Sequence, residues 1–149
     1  MNIVLDASAA LEVVFERRFG ECIYETWAES DTVFAPDLFH AEIGNALWQS
    51  VKAGAIDFET AREYYDKAVH LVEEFVDLAC LTPTAMRRAE SLNHSIYDMY
   101  YLVLSDYHDA HLISLDKRLV TLAKEQNLSP VEFGYYYTDK GKCIVEMAN

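Results

Sequence analysis

The chain has 149 residues, 52% of them hydrophobic and 25% charged. That is the size and composition of one domain with its own core, and it excludes intrinsic disorder and low-complexity filament. Twelve Lys and Arg against 25 Asp and Glu give a formal charge of −13, which argues against strong, unaided nucleic-acid binding, because neutralising phosphates takes Lys and Arg. An enzyme whose acidic site holds a cation, or a protein that pairs with a basic partner, stays open.

In chain order, residues 2–5 form an apolar run ending at Asp6, the pattern of a buried strand. Ser8 to Arg18 reads as a helix with Leu11, Val14 and Phe15 on one face, and a second helix follows Gly20 through Ile23, Tyr24 and Trp27. Residues 32–35 are strand-like and stopped by Pro36. Asp37 can cap a helix to about Lys52, closed by Gly54, and Asp57 can cap a longer one to about Glu74. Residues 75–81 read as a strand, with Thr82-Pro83 opening a helix to about Leu92.

Ser95-Ile96-Tyr97-Asp98 has capping-box spacing before a helix to about Tyr107. Residues 112–115 form a buried-type strand ending at Asp116; a helix over 117–126 and a short strand over 130–133 follow. Strands alternating with helices predict an α/β fold, a mostly parallel central sheet flanked by helices. Residues 1–133 are expected to form the single domain, and 134–149 a C-terminal tail that can add a hairpin around Asp139-Lys140-Gly141.

Cys22, Cys80 and Cys143 are odd in number and widely spaced, so reduced thiols are expected rather than a zinc site or disulfide framework. The first six residues lack the basic and apolar regions of a signal peptide, and no apolar stretch approaches the roughly 18 residues of a membrane span. The expectation is a soluble, cytoplasmic protein without membrane contact.

Two strand candidates each end in an aspartate, Asp6 and Asp116. In an open parallel α/β sheet the carboxyl ends of the strands form the ligand-binding edge, so these two acids belong at one edge. Asp98 opens a helix rich in large apolar residues, and Glu42 sits among Phe39, Ile43, Leu47 and Trp48, with Asn45 one turn on and able to hydrogen-bond it or a ligand. Taken singly, each aspartate stands where an acid caps a helix, and Glu42 can reach solvent from a half-buried face. Taken jointly they are costly: two carboxylates about 5 Å apart repel by roughly 3 kcal/mol at an effective dielectric of about 20. A divalent cation or shared protons must offset that. Hard oxygen donors without His or Cys favour Mg²⁺ or Mn²⁺ over zinc.

The segments Asp6-Ala7-Ser8-Ala9, Glu42-Ile43-Gly44-Asn45-Ala46-Leu47, Tyr97-Asp98-Met99-Tyr100-Tyr101-Leu102 and Leu112 to Leu119 fall in the order and spacing of PIN domains. The chain resembles this family over about residues 2–133, and most of all the VapC-type toxin ribonucleases of toxin–antitoxin pairs. The resemblance implies Mg²⁺- or Mn²⁺-dependent endonucleolytic cleavage of RNA. It implies Asp6, Glu42, Asp98 and Asp116 as the catalytic and metal-holding quartet, with Asp6 and Asp98 central. Ser8, Asn45 and Ser114 match supporting positions; Met99 and Ser114 stand where the family has a small residue and a Thr. A cognate antitoxin and a homodimer are the implied partners. Other readings are a catalytically silent PIN-fold module holding a structural cation, and a Mg²⁺-dependent phosphatase or receiver-like phosphoacceptor, which lacks its expected acidic pair.

Lys117 and Arg118 follow Asp116 at a helix N-terminus, where they can meet a phosphate. Of the five histidines only His108 and His111 have close spacing, which reads as a surface loop pair. Phe15, Tyr24, Trp27 and Tyr65 are candidates for a dimer or partner surface.

Overall fold

The computed structural model describes residues 1–134 and 144–147. The elements are β1 (Asn2–Leu5), α1 (Ala7–Val14), α2 (Gly20–Ala28), β2 (Thr32–Pro36), α3 (Leu38–Lys52), α4 (Phe58–Val69) and β3 (Glu74–Val76). They continue with α5 (Leu78–Leu92), α6 (Ile96–Tyr107), β4 (His111–Ile113), α7 (Lys117–Glu125), β5 (Pro130–Gly134) and β6 (Ile144–Met147).

The sheet order is β3-β2-β1-β4-β5-β6. The first five strands are mutually parallel, and β6 pairs antiparallel with β5. Residues 135–143, where the hairpin turn is expected, lie outside the described residues. The chain winds outward from β1 through β2 to β3, then crosses back to place β4 on the other side of β1. That reversal makes the carboxyl ends of β1 and β4 the switch point, where the flanking connections leave in opposite directions and open a crevice.

Alternation along the strands feeds two cores. Ile3, Leu5, Val33 and Ala35 pack with residues of α1 to α4 on one face. Val4, Phe34 and Leu112 pack with residues of α5, α6 and α7 on the other. With both faces covered, the central strands bury nearly every side chain, hence their unbroken apolar runs.

Several element boundaries differ from the sequence reading. The strand expected over 75–81 is only Glu74–Val76, because the Asp77 carboxylate accepts the Ala79 N–H at 2.7 Å and starts α5 at Leu78. Leu81 and Ala85 then bury completely at helical spacing. Pro83 is carried inside that helix. It deletes one N–H near the amino end, where few turns precede it. Helix α4 stops at Val69 rather than near Glu74, because Leu71 and Val72 turn inward to the core. Helix α1 stops at Val14, and Glu16 takes a left-handed backbone (φ 52°) that turns the chain into α2. Asp37 precedes α3 without a side-chain capping bond. Cys22, expected as a reduced thiol, is disulfide-bonded, whereas Cys80 is exposed and free. No helix among the described residues is long and apolar enough to cross a membrane.

Candidate active site

Asp6 follows β1 directly, and its N–H continues the ladder to Ile113 O of β4 at 2.9 Å. This pairing puts Asp6 beside Ser114 at the switch point. Asp6 is buried, and its Oδ2 accepts hydrogen bonds from Ser8 Oγ at 2.5 Å and Ser114 Oγ at 2.7 Å. Each serine oxygen is in turn an acceptor: Leu115 N donates to Ser8 Oγ and Asp116 N to Ser114 Oγ, both at 3.0 Å. Two hydroxyls therefore fasten the start of α1 to the β4–α7 loop and fix one oxygen of Asp6. Burial pushes the Asp6 carboxyl up from its ordinary range, the Ser8, Ser114 and Ala7 donors pull it back, and Asp116 raises it further.

Asp116 precedes α7, and its Oδ1 accepts from Arg118 N at 2.8 Å and Leu119 N at 3.4 Å. The capping role weighed for it is thus real. It is compatible with a site role, because Oδ2 takes no part in the cap and Asp116 acts electrostatically on both Asp6 and Asp98.

Asp98 lies in the first turn of α6, 17% exposed. His94 Nδ1 stands 3.2 Å and Arg118 Nη2 3.7 Å from its Oδ2. Neither contact has hydrogen-bond alignment, so the buried Asp98 Oδ2 and His94 Nδ1 have no hydrogen-bond partner. Desolvation raises the Asp98 carboxyl, opposed by His94 and then assisted by Asp116.

Glu42 approaches from α3. Its Oε2 accepts a hydrogen bond from Tyr101 Oη of α6. Its carboxyl is raised to about 7, chiefly by desolvation; the Tyr101 bond works against the rise, and repulsion from Asp6 and Asp98 adds to it. The four expected acids thus form one electrostatically coupled group over the β1–β4 edge. Asn45 is exposed on α3 without a hydrogen bond to Glu42. Lys117 is exposed on α7, and Arg118 leans back toward Asp98.

The donor set fits a hard divalent cation: every acid offers oxygen, and the buried Asp98 Oδ2 is an acceptor without a hydrogen-bond partner. Among the described residues, no three His, Cys, Asp or Glu side chains are drawn together as a ready cage. A cation held here would keep water in part of its shell, as Mg²⁺ commonly does.

Two neighbours of the site escaped the sequence reading. Tyr101 reads from the sequence as one more large apolar residue of α6, and His94 is among the histidines without metal-ligand spacing. The i, i+4 spacing of His94 and Asp98 was the available signal for His94. None existed for Tyr101, whose partner is 59 positions away.

A family model for the PIN domain matches residues 3–125, and the chain belongs to the PIN domain family. PIN domains are generally nucleases that use divalent metal ions. Solved structures similar to the chain include PAE2754 from Pyrobaculum aerophilum, at 22% identity and a TM-score of 0.64, covering 81% of this chain and 84% of that one. Another is VapBC2 from Rickettsia felis bound to a DNA fragment from their promoter, at 13% identity and a TM-score of 0.61, covering 82% of this chain and 92% of that one. At these identities the likeness is one of fold. No curated protein matches the chain.

Proposed function

We propose that the protein is a Mg²⁺- or Mn²⁺-dependent endoribonuclease of the VapC type, the toxin of a toxin–antitoxin pair acting in the cytoplasm. The coupled group of Asp6, Glu42, Asp98 and Asp116 at the switch point carries this reading. A divalent cation bound there supplies acidity to a water molecule and offsets the charge that builds on the phosphate. Asp6 and Asp98 are the central ligands; Glu42 and Asp116 complete the site directly or through water. Ser8 and Ser114 hold Asp6 in place, Asn45 is available to a ligand from the α3 rim, and Lys117 and Arg118 receive the phosphate backbone.

The VapBC2 structure contains a toxin together with its antitoxin, and the fold shared with it supports an antitoxin as partner here. A net charge of −13 suits a basic inhibitory segment. A homodimer belongs to the same reading. The surface expected for it is largely used internally: Phe15 packs edge-on to Tyr64, Trp27 Nε1 donates to Leu71 O at 2.7 Å, and the Tyr65 hydroxyl meets His40 Nδ1 at 2.8 Å. Tyr24 stays exposed, as do Trp48 and Phe58 around an apolar groove of about 220 Å³ between α3 and α4.

The test is cleavage of a mixed RNA pool, with Mg²⁺, Mn²⁺ or EDTA, by the wild type beside Asp6→Asn. Cutting that requires the metal and disappears in the variant is the expected result. Binding of Mn²⁺ without any cleavage, including of structured RNAs, would replace the nuclease with a silent PIN-fold module.

A further inference from the structure

We propose that Tyr101 is a positioning residue of the carboxylate site, its hydroxyl holding one oxygen of Glu42 so that the other faces a divalent cation. The proposal rests on the metal-dependent reading given above.

Tyr101 is 2% exposed and lies within the buried α6 stretch Met99 to Leu104, where the Tyr100 hydroxyl is taken up by Thr82. Its ring packs in the core shared by α5, α6 and α7, while Glu42 is carried by α3 of the opposite layer. The Tyr101–Glu42 hydrogen bond therefore joins the two helical layers across the edge that holds Asp6. A glutamate side chain has three rotatable bonds and loses much freedom when fixed. A phenol mounted on a buried helix supplies a rigid anchor for it.

The chemistry of the anchor matters as much as its place. A tyrosine phenol is a hydrogen-bond donor that ordinarily keeps its proton up to about pH 10, and here it donates to Glu42 Oε2. A neutral donor orients the carboxylate without cancelling its charge, as an Arg or Lys would. Asp6 is held in the same manner by the Ser8 and Ser114 hydroxyls. Ligating carboxylates elsewhere are commonly hydrogen-bonded by such outer partners, whose loss costs about 10–100-fold in metal affinity or activity.

The experiment is Mn²⁺ titration of the metal-free full-length protein, followed by calorimetry and by electron paramagnetic resonance of free Mn²⁺. It compares wild type, Tyr101→Phe, Glu42→Gln and the double variant, with near-ultraviolet circular dichroism as a check on folding. Tyr101→Phe keeps the ring and removes only the hydroxyl. Its affinity is expected to fall about tenfold or more, whereas in the Glu42→Gln background the same change should cost nothing further. Equal affinities of Tyr101→Phe and wild type would overturn the proposal. So would an equal loss in both backgrounds, which would mean that Tyr101 acts through packing. A wild type that binds no Mn²⁺ would instead bring down the carboxylate reading, and this inference with it.

Discussion

Asp6 shows how much a single buried carboxylate depends on its neighbours. Ser114 donates to it and accepts from Asp116 N, so Ser114→Ala removes a donor from a buried acid and an acceptor from a backbone N–H. The expected loss of stability is about 1–3 kcal/mol, read from urea unfolding. The raised carboxyls set a pH dependence with a definite sign. Glu42, ordinarily at 4.5, is held at about 7. Between those values the folded state keeps a proton that the unfolded chain has lost, so its stabilising contribution is complete below the lower value and is lost as pH rises through the higher. Asp6 and Asp98 are raised too and act in the same direction. The metal-free protein should therefore melt at lower temperature near about pH 8 than near about pH 5.5, and Glu42→Gln should flatten part of that slope.

At the scale of elements, helix junctions make the sharpest demands. A Cβ on Gly20 would stand 2.7 Å from Glu12 O, a backbone atom that cannot yield without moving α1. Gly20→Ala should cost about 1–3 kcal/mol by overpacking, measured as a lower denaturation midpoint at unchanged slope. On α7, exposed Lys117 lies one residue beyond the Asp116 cap, beside the site edge. Lys117→Glu should weaken binding of single-stranded RNA and reduce the salt dependence of binding by about one unit of slope, leaving the melting temperature nearly unchanged. Most elements were legible from apolar spacing and caps. Residues 75–81 were not, since a short apolar run fits a buried strand or a helix equally well until a partner face selects one.

For the whole molecule the governing quantity is charge. With 25 acids against 12 bases, repulsion is concentrated where four acids share the β1–β4 edge. Mg²⁺ or Mn²⁺ should raise the melting temperature, more near about pH 8 than near about pH 5.5, because protons and cation compete for the same oxygens. Scanning calorimetry with and without EDTA measures this, and an identical shift at both pH values would count against carboxylate ligation.

The sequence by itself determined the alternation of strands and helices, and with it the parallel sheet; it also placed Asp6 at the end of β1, a local pattern, whereas the strand expected to run to Asp116 ends at Ile113 and Asp116 caps α7 instead. The sequence marked Glu42 and Asp98 as acids in apolar surroundings that can join Asp6 and Asp116, the grouping that the resemblance to PIN domains implies. Only the tertiary structure decided that β1 and β4 are neighbours, that α3 and α6 meet over their ends, and that Ser8, Ser114, His94 and Tyr101 surround the acids. Those contacts join positions up to 108 residues apart, and no local spacing encodes which distant side chains a crossover connection will bring together.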